Sequence, residues 1–358
     1  MCSLFSIFGR PAADMLLLSM TILCLLAGQT YGITKIRDGA DPTVMKVGDS
    51  WYSAESAGGG IWVRKASSIT GLGASDVERK EVWSDPNGLG AVWAPEITTE
   101  DGKTYIYFAA GESEKHRMYV ISASDPIGSY SGETKLALPD DRWAIDGVYF
   151  RFNNKRWFVW SGWAGTENIE QNLYICEMES PTKPIGARYI ISQPRESWEL
   201  IGNDKPLINE GPEAIVDPNG QLHIVYSANG SWGSKYCLAD LRLKAGGDPT
   251  YVWDWYKSNG CLFGSDQAAM MNGWDATLYV NGPGHHTFAL TDGDVGKSPV
   301  TTERVPFVFH AVLKGTDYSW ANRDWFPGTY VWWGKITYSR KNVPGDNENT
   351  GYSFKFFE

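Results

Sequence analysis

One phrase occurs five times along the 358 residues: a small motif with Pro or Gly, a short strand, a turn, then an aromatic strand. The copies read DPTVMKVGDSWYSAES from Asp41, APEITTEDGKTYIYFAAG from Ala94, DGVYFRFNNKRWFVWSGW from Asp146, GPEAIVDPNGQLHIVYSANG from Gly211, and HHTFALTDGDVGKSPVTTERVPFVFHAV from His285. Each is a hairpin by its turn chemistry, with Gly48-Asp49, Asp101-Gly102, Asn153-Asn154, Asn219-Gly220 and Asp292-Gly293 between the strands. Further strand-like sequence follows each hairpin: IWVRKAS from Ile61, HRMYVISAS from His116, NLYICEM from Asn172, KYCLADLRL from Lys235 and YVWWGKITYS from Tyr330. From Asp41 the anchors Glu96, Asp146, Glu210 and His285 follow at intervals of 55, 50, 64 and 75 residues, loosely matching the roughly forty to fifty of a propeller blade. Five units of about four strands predict an all-β chain folded as a five-bladed β-propeller. A β-sandwich gives no reason for a repeated phrase, and no stretch sustains the 3.6-residue apolar period of a helical domain.

Composition agrees: 14% aromatics, with 17 Trp and 18 Tyr beside 39 Gly and 18 Pro, suit aromatic strands joined by turns. A net charge of -10 without a basic cluster argues against nucleic acid or an anionic membrane as partner and leaves an uncharged ligand compatible. Arg10 precedes the apolar run from Met15 to Ala27, which is short for a bilayer span and is placed like the core of a secretory signal. Residues 1–32 are therefore expected to be a signal peptide and 33–358 the catalytic domain, secreted and extracellular. In that oxidising setting Cys176, Cys237 and Cys261 remain, and Cys237–Cys261, on neighbouring strands, is the disulfide candidate against the alternative of two buried thiols. Asn229-Gly230-Ser231 is a sequon in a turn-like stretch, open to glycosylation in a eukaryotic host.

In a propeller the innermost strand of every unit lines a central channel. If the repeated motifs open those strands, Asp41, Glu96, Asp146, Glu210 and His285 converge on one cavity. Several carboxylates beside aromatic rings suit acid–base chemistry on a sugar. Taken singly, Asp41 before Pro42 is a common turn opener, Asp146-Gly147 a turn and Glu210 a loop charge; their joint placement reverses that reading.

At these motifs the chain resembles glycoside hydrolase family 43, from about Ala40 to His310. The resemblance implies the five-bladed propeller and an inverting hydrolase, in which Ala-Asp-Pro supplies Asp41 as general base, Ile-Asp-Gly supplies Asp146 as modulator of the acid's pKa, and Asn-Glu-Gly-Pro supplies Glu210 as general acid. WAPEI, around Trp93 and Glu96, and GPGHHTF, around His285, look like further signatures. Together with TYIYFAAG, RMYVI and NEGPEAI they look most like the exo-acting α-L-arabinofuranosidase branch. Arg323 aligns loosely with a late sugar-contacting Arg, and where relatives carry a second basic residue this chain reads Tyr330-Val331-Trp332-Trp333.

An inverting pair needs an acid with a raised pKa and an ionised base, roughly 6.5 to 9.5 Å apart. A charged Asp146 is the expected cause of the raised pKa of Glu210, and Asp41 is expected to be hydrogen-bonded or partly solvated. Glu213 competes with Glu210 for the acid role, whereas Glu96 is expected to hydrogen-bond backbone or a neighbouring unit. Trp93, His285 and Arg323 are the expected substrate contacts, with Trp93 stacking on a sugar or lying in the core. His285 is expected at the channel centre, bonding across it or holding an ion through water, with His286 a surface neighbour. No cofactor is required. Zinc lacks a ligand set, and a structural calcium in the channel suits oxygen donors. The expected partner is plant cell-wall polysaccharide or oligosaccharide, met by a monomer. The alternatives are β-xylosidase activity, a carbohydrate-binding propeller without catalysis, and a retaining furanosidase. The insertion from Leu241 to Met271 and the segment from Asp317 to Thr329 are expected to shape the pocket.

Overall fold

The computed structural model describes residues 33–201, 205–265, 279–290 and 304–335, with short strands at 338–339, 347–348 and 352–357. The expected signal peptide and the Asp292-Gly293 turn lie outside these residues. Among them the regular structure is β-strand, paired antiparallel except at one short parallel contact, with single turns of 3-10 helix, and no helix is long and apolar enough to cross a membrane.

The hairpins form as their turn chemistry dictates. Asp101-Gly102 joins Trp93–Glu100 to Lys103–Ala110, and Asn153-Asn154 joins Ala144–Phe152 to Lys155–Trp163. All four turn residues have positive φ, which matches the strand twist. The first unit runs Met45–Val47, Ser50–Ala57, Gly60–Ala66, Glu78–Trp83. The second adds Arg117–Ala123 and Ser131–Lys135 to its hairpin, and the third adds Glu170–Ser180 and Lys183–Ser192. The fourth runs Leu207–Val216, Leu222–Ala228, Cys237–Leu243, Trp255–Lys257, and is joined to the third by a short parallel pairing, Glu170 with Leu207 and Gln171 with Ile208. The fifth runs Val280–Phe288, Arg304–Leu313, Asp324–Lys335 and takes as its next strand the N-terminal pair Arg37–Asp38, in register Arg37 with Trp325.

Apolar burial lies between units rather than inside any one of them. Ile61 and Val63 pack with Ile106 and Phe108 between the first two, and Tyr107 and Met118 with Tyr149 and Phe158 between the next two. Val159 and Ile175 pack with Ile224 and Leu241 between the third and fourth. Phe263 meets Phe307 and Phe309 edge-on between the fourth and fifth, and Val308 and Trp325 pack with Val44 and Leu72 where the fifth meets the first.

Cys237 and Cys261 form a disulfide with Cα atoms 5.9 Å apart, and Cys176 remains a buried thiol. Two surface expectations are corrected. Asn229 is buried, and its Nδ2 donates to the carbonyls of Trp198 at 3.0 Å and Lys235 at 3.1 Å, so the folded chain does not present that amide for glycosylation. His286 is fully buried, because a strand sends successive side chains to opposite faces and its ring packs edge-on against Phe288.

Candidate active site

The repeated phrase has a backbone meaning that residue types alone do not disclose. Near the start of each unit one residue is left-handed: Asp41 (φ 50°), Ala94 (φ 42°), Asp146 (φ 54°), Gly211 (φ 52°) and His285 (φ 39°). In the second to fifth units it sits in a bulge, where the ladder slips between Trp93 and Glu96, Ile145 and Val148, Glu210 and Glu213, and Gly284 and His286. A bulge re-aims a side chain that regular alternation would bury in the sheet. In the first, third and fifth units the left-handed residue itself bears the polar group. In the fourth, Gly211 takes that slot and Glu210 stands one residue before it.

Asp41, Asp146, Glu210, Trp93, His285 and Arg323 all line one cavity of about 430 Å³. His285 bridges the two aspartates, its Nδ1 3.1 Å from Asp41 Oδ1 and 3.9 Å from Asp146 Oδ2. The Gly211 N–H donates to Asp146 Oδ2 at 3.0 Å, which ties the third unit to the residue following Glu210. Trp93 is 43% exposed on the cavity wall and lies over the His116 ring at 4.0 Å. Arg323 is buried under the Trp320 ring, 4.8 Å away, and donates to the Ser231 carbonyl.

The environments divide the carboxyl groups. Burial would raise Asp41, but the neighbouring imidazoles of His285 and His310 and the charge of Arg323 outweigh it and hold the group well below the usual carboxylate range. Its side chain keeps 30% exposure, so it is both partnered and partly solvated. Glu210 is pushed up to about 8, first by burial and then by the charge of Asp146. Asp146 is itself pushed up to about 8 by burial and by Asp41, against the opposing Gly211 N–H. This corrects the expected order of causes: burial is the larger influence on Glu210, and Asp146 the second.

The sequence pattern described as "Glycosyl hydrolases family 43" matches residues 35–321, most of the chain. The chain belongs to glycosyl hydrolase family 43. Curated family 43 relatives include an "Extracellular exo-alpha-(1->5)-L-arabinofuranosidase" of Streptomyces avermitilis, 31% identical over 73% of this chain and 53% of the relative. A Streptomyces chartreusis protein of the same name is 27% identical over 77% of this chain and 80% of its own. Against the Streptomyces avermitilis relative and a Humicola insolens "Alpha-L-arabinofuranosidase 43", the chain spans just over half of their length. The crystal structure of an α-L-arabinofuranosidase from Lactobacillus brevis superposes with a TM-score of 0.69 at 26% identity, covering 84% of this chain and 93% of that one.

Within this family 43 chain, Glu96 and Glu213 do not join the cavity with Asp41. They line a second one of about 90 Å³ with Thr287. Each stands two residues beyond its unit's left-handed position, as Thr43 does, and Thr43 Oγ1 donates to Glu96 Oε1 at 2.7 Å. Burial pushes Glu96 up to about 8 and Glu213 well above its usual range. The convergence of all five anchors is thus corrected to two layers. Of the two segments expected to shape the pocket, Asp317 to Thr329 supplies Trp320, Arg323 and Trp325. No described residue of the insertion from Leu241 lines it, and its end lies outside the described residues. Sequence reasoning passed over His310, whose Nδ1 accepts the Asp41 N–H at 3.0 Å; the available signal was a lone imidazole in the apolar strand VPFVFHAV. Trp143, Trp232 and Trp320 also line the cavity unforeseen, since single tryptophans read equally well as core.

Proposed function

We propose that the protein is an inverting exo-acting α-L-arabinofuranosidase that releases L-arabinofuranose from arabinan or arabinose-decorated plant polysaccharide. The observation that carries this reading is the opposed tuning of two carboxyl groups in one aromatic-walled cavity, Asp41 held ionised and Glu210 held protonated near neutral pH. Asp41 is the general base that takes a proton from the attacking water. Glu210 is the general acid that protonates the leaving glycosidic oxygen. Asp146, tethered by the Gly211 N–H, is the modulator: it titrates in the same raised range as Glu210, so that as Asp146 loses its proton its charge holds the proton on Glu210. Trp93 offers a ring face to the sugar, and His285 and Arg323 line the cavity near Asp41. The five units are read as the blades of a five-bladed propeller, supported by the packing of each on the next and of the fifth on the first. Secretion is supported by the relatives named extracellular. Among the described residues no group of three or more His, Cys, Asp or Glu side chains is arranged to hold a metal ion. A structural calcium in the channel would be held through water.

The test is hydrolysis of nitrophenyl α-L-arabinofuranoside and β-D-xyloside by the full chain, beside Asp41→Ala and Glu210→Gln. Expected are arabinose release with inverted anomeric configuration by NMR, and a fall on the order of 10²–10⁴-fold in each variant. Preference for the xyloside would make it a β-xylosidase of the same family. Binding without turnover would make it a carbohydrate-binding propeller, and retention of configuration would remove the base role from Asp41.

A further inference from the structure

Asp41 precedes the first strand of its unit, which begins at Met45, and no ladder pairing includes it. Its left-handed backbone is uncommon for a non-glycine residue and is held here by its neighbours. The holding contacts come from distant parts of the chain. The Gly39 N–H donates to the Arg323 carbonyl at 2.9 Å, and Trp325 Nε1 donates to the Ala40 carbonyl at 2.9 Å. The contact on Asp41 itself is its N–H donating to His310 Nδ1 at 3.0 Å.

His310 is suited to that task. It is fully buried, paired with Gly284 on one side of its strand and Trp325 on the other. Its ring lies flat on that of Tyr236, 5.6 Å away at an interplanar angle of 12°. Tyr236 is itself fully buried and clamped, because a Cβ at Gly284 would stand 2.1 Å from its ring. The Tyr236 hydroxyl neighbours Glu210. The stacked rings therefore reach from the base to the acid. An imidazole that accepts at Nδ1 must be neutral with its proton on Nε2; burial keeps the ring neutral, pushing its pKa down to about 4 against the opposing pull of the Asp41 carboxylate, whose Oδ1 lies 3.4 Å from Nδ1. Nε2 has no hydrogen-bond partner among the described residues, so stacking and the Asp41 contact set the ring's orientation.

We propose that His310 is a positioning residue for the base. Its Nδ1 locks the Asp41 backbone in the conformation that turns the carboxylate into the cavity, and its stack on Tyr236 couples that geometry to the acid side. The inference rests on reading Asp41 as the general base.

His310→Leu removes the acceptor and keeps an apolar filling, while His310→Asn restores an acceptor near the Nδ1 position. Expected for His310→Leu is a kcat lower on the order of 10²-fold, with little change in KM and an acid limb of the kcat/KM profile moved to higher pH. His310→Asn is expected to regain at least about tenfold of that loss. A folded His310→Leu with wild-type kcat and an unmoved acid limb, or a His310→Asn no better than Leu, would overturn the proposal.

Two measurements separate it from the proposed activity. Titration of the Asp41 carboxyl by ¹³C NMR, assigned against Asp41→Asn, is expected to shift upward in His310→Leu whether or not any pentoside is turned over. In the wild type, ¹⁵N NMR should find the His310 proton on Nε2 alone between pH 5 and 8. An unshifted Asp41 titration in folded His310→Leu refutes the positioning role, and a proton on Nδ1 in the wild type refutes it even if the variants fail to fold. Failure of the wild type on every pentoside refutes only the activity.

Discussion

Gly211→Ala tests the common backbone geometry most directly. The other four units place a residue with a side chain in the left-handed slot, so the fold accepts one there; the fourth differs in what that side chain would meet. A Cβ on Gly211 would stand 3.1 Å from His285 Cγ and 3.3 Å from its Cα and Nδ1. The left-handed backbone disfavours alanine by roughly 1–2 kcal/mol, and the reduced entropy of the unfolded chain returns about 0.4–1 kcal/mol. The net loss expected is about 1 kcal/mol, read as a lower urea midpoint at unchanged m-value. Activity should fall further than stability, since His285 must yield by a few tenths of an ångström while its Nδ1 contacts Asp41 at 3.1 Å. Ala94→Gly is the counterpart: relief of the same backbone strain should cancel most of the loss that a glycine causes in a strand. Unchanged stability and kcat in Gly211→Ala, or a loss of about 1 kcal/mol or more in Ala94→Gly, would refute the account of the repeat as a left-handed position shared by the five units.

Asp146→Asn keeps an acceptor for the Gly211 N–H and removes the charge that helps raise Glu210. The alkaline limb of kcat/KM should move down from about 8, by on the order of one pH unit, and remain above the range of a free glutamate because burial persists. A limb that stays in place would show that Asp146 does not tune the acid. His223 is fully buried between Asp240, at 3.0 Å, and Asp217, at 3.4 Å. Burial lowers its pKa, but the two carboxylates outweigh that and raise it. The folded state therefore binds this proton more tightly than the unfolded chain. The stability it confers is complete below about pH 6.5 and declines as pH rises through the folded value. Urea midpoints across pH 5 to 9 should show that decline in the wild type and a flatter dependence in His223→Gln; equal slopes would remove His223 as the cause.

The hairpins were legible because their turns carry a local mechanism. Asn153-Asn154 and Asp101-Gly102 need positive φ at both positions, and few residue pairs supply it. The gathering of Asp41, Asp146, Glu210, Trp93, His285 and Arg323 was legible through family resemblance, which registers motif order rather than contacts. What escaped was set by register. Glu96 and Glu210 both serve as anchors of their units in the sequence, yet one stands two residues beyond the left-handed slot and the other one before it, and that shift sends them to different cavities. A ladder slip has no residue-type signature, as Ala94 in the slot illustrates. Asn229 failed as a glycosylation site for a related reason: a sequon records three residue types, whereas burial of its amide depends on Trp198 and Lys235 folding over it. His310 was hidden because its contact with Asp41 spans 269 positions, and no local pattern carries such a separation.

The pairing of Arg37–Asp38 with Asp324–Lys335 has a consequence for when the enzyme can work at all. Asp41 lies three residues beyond that clasp, and its anchors, His310, Arg323 and Trp325, come from the fifth unit, the first of them 269 positions further along. The first residues of the domain therefore wait for nearly the last before the site exists. A fragment ending before residue 310 holds Asp146 and Glu210 but lacks all three groups that seat Asp41, so such a partial product is expected to lack the proposed hydrolytic competence.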